Sequence, residues 1–539
     1  MRENYEALPR TGANNVALSP ISFLSRAALV YGDREATVYG GTRRTWAEVH
    51  RRCRAVAAGL KRMGVGTGDT VTLLAPNIPE TFELHYAVPM AGAVLNTVNI
   101  RLEPETIAYI LEHGDSRLVF CDTALAPLLR EAFGLLGREI PVVDIDDPLA
   151  GAGDGFGQHT YEALASAADA DPGDVLPEDE WQAIALNYTS GTSGRPKGVV
   201  YHHRGAYLMA LGTIAAWQVP QRPTYLSVVP MFHCNGWNHP WAMAIVGARL
   251  VFTRDPQPEK IFAAIVAEGV THLGAAPIVL ATLADSDAAP EAAFAPPVSV
   301  MTAGAPPPPA ILAKTSAMGF RVMQVYGLTE TYGHISQCLW REEWDDLTPA
   351  EQAEMQAMQG VAFPMVEDVA VIDRETGAEV PKDGVTQGEI AIRGNTVMKG
   401  YYKDAEASRA AFEGGRFWSG DAAVVRENGY VQVTDRLKDV IISGGENISS
   451  VEVENALHHH PAIQAAAVVA RPHPKWGEAP CAFVELRPGA TASEEDVIAF
   501  CRDRLAGFKT PKSVFFGPLP KTATGKIQKF LLRQSAQAL

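Results

Sequence analysis

One short segment of the chain carries the residue types that hold phosphate. Residues 189–200 read TSGTSGRPKGVV and follow an apolar, strand-like run at 183–187. Glycines bring backbone N–H groups close to an anion, hydroxyl groups add donors, and a lysine adds a point charge. The predicted phosphate ligands are Thr189, Ser190, Gly191, Thr192, Ser193, Gly194 and Lys197. A Walker A loop is excluded because a glycine follows the lysine, and a flexible surface loop is the alternative.

Two later segments end in carboxylates that suit a nucleotide and its metal ion. In QVYGLTE (324–330), Tyr326 can stack on a base, Thr329 can donate to a phosphate, and Glu330 offers a hard oxygen ligand for Mg²⁺. In FWSGD (417–421), the two oxygens of Asp421 can accept both hydroxyl groups of a ribose. For any one of these residues, a solvated turn is the alternative.

A histidine and an aromatic residue lie in the segment SVVPMFHCNGW (227–237). His233 and Trp237 are four residues apart, which on a helical turn would place them on one face. A packed structural histidine is the alternative. The segment VSVMTAGAPPPP (298–309) predicts a strand that runs into a glycine and proline turn.

Two C-terminal segments carry further glycines and lysines. TDRLKDVIISGGENISS (434–450) has the charge pattern of a solvated turn followed by two adjacent glycines. In LPKTATGKIQK (519–529), Lys526 follows a glycine turn that can deliver its ammonium group on a tight loop, although terminal lysines are usually solvated.

Taken in this order, these segments resemble the motifs of the adenylate-forming superfamily, which contains acyl-CoA synthetases, firefly luciferase and peptide-synthetase adenylation domains. The resemblance covers nearly the whole chain; Trp418 and Ser419 depart in type from the family's YxTGD motif. It implies an α/β fold with a large N-terminal domain of packed sheets (1–435), a hinge, and a small mobile α+β C-terminal domain (436–539). It also implies ATP, Mg²⁺ and coenzyme A.

The resemblance assigns roles residue by residue. Nucleotide binding falls to the phosphate loop together with Gly304, Ala305, Pro306, Tyr326, Gly327, Thr329, Asp421 and Arg436. The acyl pocket is formed by His233 as a gate, Trp237, Gly304, Tyr332 and His334. Catalysis falls to Lys526, Thr329, Glu330 and His233, with Glu330 as the metal ligand; Lys438 is the hinge, and Gly444 and Gly445 leave a channel for coenzyme A.

The elements that must position these residues follow from hydrophobic periodicity. Helices are predicted at 45–62, 80–92 and 104–112, and strands at 70–74, 93–98 and 117–121. This alternation favours parallel sheets covered by helices. Residues 151–174 predict a surface connection, and 340–359 predict an acidic surface helix without a chemical role.

Size and composition limit the classes of protein. A chain of 539 residues predicts at least two domains, and a net charge of −16 argues against nucleic-acid binding. The six cysteines form no CxxC pair, no apolar run reaches membrane-spanning length, and neither terminus reads as a signal peptide or an SKL address. We therefore expect a cytoplasmic protein with no membrane partner, and the resemblance adds a possible homodimer.

The substrate is a small carboxylic acid, and its identity is less constrained. The chain most resembles bacterial 3-methylmercaptopropionyl-CoA ligases, which act in dimethylsulfoniopropionate breakdown, and more distantly medium-chain and aromatic acyl-CoA ligases. Trp237 would shorten the pocket, so short fatty acids remain an alternative. A peptide-synthetase domain is disfavoured because no carboxylate follows His233 in CNGWNHPWAMAI. A non-catalytic nucleotide-binding protein is the alternative of a different class.

Lys526→Ala should abolish adenylate formation, a loss of at least roughly 10²–10³-fold, because the lysine would stabilise charge as pyrophosphate leaves. Thioester formation from presynthesised acyl-adenylate should be spared. The two half-reactions are measured separately, by pyrophosphate release and by acyl-CoA formation. Equal loss of both would refute this division of labour.

Overall fold

The computed structural model of the chain describes residues 5–151, 153–167, 171–173, 175–189, 195–304, 307, 309–443, 446–521 and 527–538. Helices and strands alternate from the start. The elements before the phosphate loop are α1 (Ile21–Tyr31), β1 (Glu35–Tyr39), β2 (Thr42–Thr45), α2 (Trp46–Arg62), β3 (Thr70–Leu74), α3 (Pro79–Met90), β4 (Val94–Thr97), α4 (Pro104–His113), β5 (Ser116–Asp122), α5 (Ala126–Leu136), β6 (Val142–Ile145), β7 (His159–Thr160), α6 (Tyr161–Ala165) and β8 (Ala183–Thr189).

The middle of the chain continues the alternation. Its elements are β9 (Lys197–His202), α7 (His203–Trp217), β10 (Thr224–Ser227), α8 (Cys234–Trp237), α9 (His239–Ile245), β11 (Arg249–Phe252), α10 (Pro258–Glu268), β12 (His272–Ala275), α11 (Pro277–Ala284), β13 (Val298–Thr302), α12 (Pro309–Ala317), β14 (Phe320–Tyr326), β15 (Ser336–Gln337), α13 (Pro349–Gln356) and β16 (Val361–Ala362).

The remaining elements are mostly strands. They are β17 (Asp368–Ile372), β18 (Gly388–Arg393), β19 (Gly400–Tyr401), α14 (Ala405–Ala411), β20 (Phe417–Val425), β21 (Val431–Arg436), β22 (Ile441–Ser443), β23 (Glu446–Ile448), α15 (Ser450–His458), β24 (Ile463–His473), β25 (Gly477–Leu486), α16 (Glu494–Arg502), β26 (Ser513–Phe516) and α17 (Lys529–Ala538).

Two large, mainly parallel sheets form most of the molecule. One has eight strands in the order β19-β9-β8-β4-β3-β5-β6-β7, and the other has nine in the order β16-β15-β14-β13-β12-β10-β11-β1-β2. The parallel pairs are those expected when each strand is followed by a covering helix. The prediction of packed α/β sheets is confirmed.

Two smaller sheets follow in the chain. The four strands β17-β18-β20-β21 share one hydrophobic core with the two large sheets, whereas the five-stranded sheet of β22 to β26 has separate cores. The predicted division into a large N-terminal and a small C-terminal domain is confirmed. The exact boundary at 435/436 stays a prediction; β21 ends at Arg436 and β22 begins at Ile441.

Helix α2 shows why the sequence folds as predicted. Thr45 and Glu48 form a reciprocal capping box, in which each side chain accepts the other residue's backbone N–H, at 3.3 and 2.7 Å. The helix begins at Trp46 and buries an apolar face that includes Val49, Cys53 and Val56. No helix among the described residues combines the length and apolar character needed to cross a bilayer.

The prediction of a plain surface connection at 151–174 is wrong in one part. This stretch contains β7 and α6, and Tyr161 at the start of α6 is fully buried. The Tyr161 hydroxyl donates to Oε2 of Glu83, a buried carboxylate that also pairs with Arg52. Composition missed this anchor because one tyrosine in a Gly/Ala/Asp-rich stretch makes no periodic pattern.

The acidic insert at 340–359 does contain a helix, α13, capped by Thr348 and Glu351. The insert also packs against, and hydrogen-bonds to, residues at and next to strand β21. Trp344 packs edge-on against Tyr430 at 5.3 Å between ring centroids, and Oε1 of Gln359 accepts the N–H of Val433 at 2.6 Å. The insert therefore braces the four-stranded sheet that carries Asp421.

A buried charge cluster joins the two large sheets. Arg254, which follows β11, lies 2.7 Å from Asp122 at the end of β5 and 2.6 Å from Asp147. The Tyr39 hydroxyl of β1 also donates to Asp147, at 2.6 Å. Both carboxylates are almost fully buried, so their charges depend on Arg254 for compensation.

Arg254→Met should destabilise the protein by about 3–5 kcal/mol, because it leaves two buried carboxylates without a cation. Lys260→Met is the matched control; Lys260 pairs with Asp255 at 2.8 Å, but both side chains are about half exposed, so the loss should stay below about 1 kcal/mol. Calorimetric melting of both variants tests this. Equal melting temperatures for Arg254→Met and the wild type would show that the cluster does not join the sheets.

Candidate active site

Strands β8 and β9 hold the two ends of the predicted phosphate loop. They pair antiparallel, with Thr189 directly opposite Lys197. The predicted ligands Ser190, Gly191, Thr192, Ser193 and Gly194 lie outside the described residues. The Lys197 ammonium group lies 4.7 Å from the ring centroid of Tyr401 and 3.9 Å from a carboxylate oxygen of Asp404. Its side chain is 44% exposed, so the charge is available to an anion beside the loop.

The residues Thr329 and Glu330 form a short 3₁₀ turn after β14 and are held from the neighbouring sheet. The Tyr201 hydroxyl donates to the carbonyl oxygen of Thr329 at 2.6 Å, and the Cys234 thiol lies 3.4 Å from its hydroxyl oxygen. The Tyr401 hydroxyl donates to Oε1 of Glu330 at 2.8 Å. Burial alone would raise the pKa of the Cys234 thiol, but the adjacent His233, with Thr329 and Tyr201, lowers it.

The Glu330 carboxylate fits a magnesium ion that arrives with a nucleotide. Among the described residues, its one hydrogen bond is the one from Tyr401 to Oε1. The same part of the chain holds no group of three or more acidic, histidine or cysteine side chains that could cage a metal. Mg²⁺ is commonly held by one or two carboxylates together with substrate phosphates, and a single half-buried glutamate suits that arrangement.

Tyr326, Asp421 and Arg436 form a closed cluster where β20 pairs with β21. The Tyr326 hydroxyl and the Arg436 guanidinium each lie 2.6 Å from a different oxygen of the Asp421 carboxylate. Burial and the Asp421 charge raise the pKa of Tyr326, so its phenol stays protonated and donates. The three residues that the sequence assigns to base, ribose and phosphate are thus brought together, and their individual roles stay predictions.

The turn that carries His233 and Trp237 is not an ordinary helix. From Cys234 to Asn238 every φ angle is positive, between 48° and 62°, which is a left-handed conformation. His233 precedes this turn in extended backbone, so the helical spacing that would place it beside Trp237 does not apply. The sequence shows one glycine here, Gly236, and composition alone gave no sign of five left-handed residues.

Three asparagines hold this left-handed turn in place. The Asn187 side chain of β8 donates to Oδ1 of Asn235 at 2.8 Å, and the Asn238 side chain donates to the carbonyl oxygen of Tyr332 at 2.5 Å. The turn is thereby tied to the phosphate-loop strand on one side and to the Thr329 turn on the other. Trp237 is buried and packs beside Gly333 and His239.

Tyr332 and His334 lie near this turn but are strongly engaged in packing. Tyr332 stacks on Tyr201 at 3.9 Å between ring centroids, and its hydroxyl accepts the N–H of His202 at 2.8 Å. His334 is fully buried with Nε2 3.0 Å from the hydroxyl of Thr213, and burial lowers its pKa to about 3. Their predicted contact with the acyl group stays a prediction.

The predicted glycines serve two different purposes. A Cβ atom on Gly327 would lie 2.5 Å from the Cα atom of His334, so this position admits no side chain. Gly304 has φ +99°, and no atom of the described residues lies within 4 Å of the place where its Cβ atom would be, as expected where a backbone turn faces a ligand. Ala305 and Pro306, the other predicted residues of that turn, lie outside the described residues.

The predicted hinge lies in a turn between β21 and β22. The carbonyl oxygen of Arg436 accepts the N–H groups of Asp439 and Val440, at 2.8 and 3.1 Å, which places Lys438 inside the turn. Partial burial of its amine lowers the pKa of Lys438 to about 8. Gly444, Gly445 and Lys526 lie outside the described residues; the ends of the Lys526 loop are paired through Lys521 and Ile527.

Comparison with known proteins identifies the family. A family model described as AMP-binding enzyme matches residues 24–402, and one described as AMP-binding enzyme C-terminal domain matches residues 452–526. The chain belongs to the AMP-binding enzyme family. The resemblance to adenylate-forming acyl-CoA synthetases is thus confirmed.

Similar proteins extend over the whole length of the chain. It is 46% identical to an acetate–CoA ligase of Humulus lupulus, covering 99% of this chain and 97% of the relative. It is 45% identical to a peroxisomal acetate/butyrate–CoA ligase of Arabidopsis thaliana, with 99% and 97% covered. It is 43% identical to a peroxisomal trans-cinnamate:CoA ligase of Petunia hybrida, with 99% and 96% covered.

Solved structures agree with this placement. ATP-bound MatB from Rhodopseudomonas palustris is 25% identical and superposes with a TM-score of 0.82, covering 96% of this chain and 98% of MatB. The o-succinylbenzoate CoA synthetase of Bacillus subtilis, in complex with its acyl-adenylate, is 26% identical with a TM-score of 0.80, covering 95% and 97%.

The structure adds supporting residues that the motifs did not single out. Tyr201, Tyr401, Cys234 and Asn187 contact Thr329, Glu330 or the left-handed turn. Tyr201 lies on β9 and Tyr401 on its edge neighbour β19, so their approach to Thr329 and Glu330 depends on strand register and not on any local spacing.

Lys438→Pro should slow thioester formation from acyl-adenylate by at least about tenfold relative to adenylate formation. A tenfold change in rate corresponds to an increase of ~1.4 kcal/mol in the activation barrier. Proline at the third position of this turn restricts Leu437 and stiffens the connection. Lys438→Ala, which leaves the backbone free, is the control. An unchanged ratio of the two rates in Lys438→Pro would place the hinge elsewhere.

Proposed function

We propose that the protein is an AMP-forming acyl-CoA ligase that joins a short-chain aliphatic acid to coenzyme A. It converts the acid, ATP and coenzyme A to acyl-CoA, AMP and pyrophosphate through an acyl-adenylate. The observation that carries this proposal is the convergence of Lys197, Thr329 and Glu330 on strand β9 and its neighbours. The named activities of the relatives support the same reaction.

The first half-reaction requires two anions to approach each other. Lys197 and the amides of the phosphate loop bind the phosphates, and Thr329 donates to the α-phosphate that the carboxylate attacks. Glu330 would hold a magnesium ion, and that ion would supply charge neutralisation. Lys526 delivers a further positive charge from the C-terminal domain. Most of this catalysis is positioning and charge compensation, so no general base is required.

The second half-reaction exchanges one face of the small domain for another. Rotation about the turn at Lys438 withdraws the Lys526 loop and presents the segment with Gly444 and Gly445. The thiol of coenzyme A then attacks the acyl carbonyl, and AMP leaves. The separate hydrophobic cores of the five-stranded sheet support a rotation of this domain as a unit.

A short acid is favoured by the pocket wall and by the relatives. Trp237 is only 5% exposed and belongs to a turn that is hydrogen-bonded at both ends, so as the wall of the proposed acyl pocket it would limit the depth of that pocket. Similar proteins are named for acetate, butyrate and 2-methylpropanoate, and one is named for trans-cinnamate. The names of these relatives support the short-chain alternative, which replaces the thioether acid as the proposed substrate.

Cytoplasmic location, a homodimer and the absence of a nucleic-acid partner are predictions. Several relatives are named as peroxisomal. The predicted cytoplasmic location therefore has to be tested by locating this protein in its own cell.

Pyrophosphate release with and without coenzyme A, measured for acetate, butyrate, hexanoate, 3-methylmercaptopropionate, cinnamate and amino acids, tests the proposal. Acyl-CoA formation that favours acetate or butyrate is expected. ATP binding without pyrophosphate release from any acid would instead indicate a non-catalytic nucleotide-binding protein.

Trp237→Ala should raise the preference for hexanoate over butyrate by about tenfold, because each additional buried methylene contributes about 0.8 kcal/mol. Trp340→Ala, in the exposed part of the 340–359 insert, is the matched control and should leave the ratio unchanged. Ratios of kcat/KM for the two acids are the measurement. No change in Trp237→Ala would remove this residue from the pocket wall.

A further inference from the structure

Tyr401 contacts two residues that the proposed function assigns to the phosphates and their metal. Its hydroxyl donates to Oε1 of Glu330 at 2.8 Å, and the face of its ring lies 4.7 Å from the Lys197 ammonium group. One side chain therefore touches both the candidate metal ligand and the cation of the phosphate loop. Nothing in the motif pattern of the sequence indicated this link.

The backbone of Tyr401 is fixed on the same strand that begins with Lys197. Strand β19 pairs antiparallel with β9, so that Tyr401 lies opposite Val199 and Gly400 opposite Val200. The N–H groups of Lys399 and Tyr402 extend this pairing to the carbonyl oxygens of Val200 and Gly198, at 2.8 and 2.7 Å. The phenol is thus attached to a rigid element and not to a loop.

The Glu330 backbone is held by the same segment. The N–H of Met398 donates to the carbonyl oxygen of Glu330 at 2.8 Å, three residues before Tyr401. The segment 398–401 therefore fixes both the main chain and the carboxylate of Glu330. Because Tyr401 binds Oε1, the rotation of the carboxylate is restricted and Oε2 keeps a defined direction.

We propose that Tyr401 is a positioning residue that aligns Glu330 for Mg²⁺ through its hydroxyl and Lys197 for phosphate through its ring. This inference rests on the proposed function, since it assigns Tyr401 to the same nucleotide site. Burial and the Glu330 charge raise the pKa of Tyr401, which keeps the phenol protonated as a donor. The hydroxyl and the ring act on different partners, so their contributions are separable by substitution.

The neighbouring residue provides a matched control. Tyr402 is also a half-buried tyrosine whose hydroxyl donates to a carboxylate at 2.8 Å, but its partner is Asp115 at the surface. Tyr402→Phe therefore removes a hydrogen bond of the same kind and length from the adjacent position. It leaves Glu330 and Lys197 with the contacts described above.

Calorimetric titration with ATP, without acid or coenzyme A, separates binding from turnover. A titration in EDTA gives the affinity for ATP without metal. Titrations at increasing Mg²⁺ concentrations give the Mg²⁺ concentration at which half of the full increase in ATP affinity is reached. In Tyr401→Phe, this concentration should rise about 10–100-fold, as for loss of a hydrogen bond to a metal ligand, while metal-free affinity stays within about twofold. Tyr401→Leu should also weaken metal-free binding by a few fold, because it removes the ring beneath Lys197.

A double-mutant cycle tests whether Tyr401 acts through Glu330. Glu330→Gln should remove most of the Mg²⁺ effect, and adding Tyr401→Phe should then change little further. Additive losses would show that Tyr401 acts elsewhere and would overturn the inference. The same conclusion follows if Tyr401→Phe keeps the wild-type Mg²⁺ response, or if Tyr402→Phe loses it equally.

The outcomes also distinguish this inference from the proposed function. If Mg²⁺ does not strengthen ATP binding to the wild-type protein, the proposed nucleotide site fails and the inference fails with it. If the wild type responds to Mg²⁺ and Tyr401→Phe responds identically, only the role of Tyr401 is refuted. Thermal melting of each variant, without ligand, confirms that a lost response does not reflect unfolding.

Discussion

The candidate site depends on one strand, β9, and on its pairing with a neighbour on each edge. On one edge β8 places Thr189 opposite Lys197, at the two ends of the predicted phosphate loop. On the other, β19 brings Tyr401 to Glu330. From β9 itself, Tyr201 donates to Thr329 and stacks on Tyr332. Because side chains alternate between the faces of a strand, a slip of one residue at either edge would separate these groups.

The left-handed turn at 234–238 adds an unfavourable conformational free energy to the folded state. Left-handed backbone costs roughly 1–2 kcal/mol for each residue other than glycine, and four of these five residues have side chains. The cost is reduced for asparagine, and it is offset by hydrogen bonds from Asn187 and to Tyr332. Strain of this size persists where surrounding structure over-determines the conformation, and such positions concentrate at functional sites. Here the strained turn sets the position of the buried Trp237.

Sequence reasoning succeeded where the signal was local or periodic. The alternating helices and strands, the strand before the phosphate loop and the strand that begins at residue 298 were predicted closely because each has a simple period and clear boundaries. It missed α6, whose stability comes from one buried tyrosine bonded to a distant glutamate. It also missed Tyr401 and the left-handed turn. Both depend on contacts between residues far apart in sequence, which no local spacing encodes.

Hydrogen bonds and ion pairs near the hinge stabilise one of the two domain arrangements that the proposed half-reactions require. The Asp435 carboxylate, buried at the end of the large domain, accepts the N–H of Ser450 at 2.5 Å, and Lys529 bonds both Ser450 and Glu454. Arg533 pairs with Asp439 inside the hinge turn. The proposed rotation of the small domain has to break the Asp435–Ser450 bond, which joins the two sides of the hinge turn, and a charge-assisted bond contributes about 1.5–3 kcal/mol. A 99:1 population corresponds to about 2.7 kcal/mol, half of the about 5.5 kcal/mol of differential binding that reverses it, so one such bond is of the size needed to hold one arrangement until a substrate favours the other.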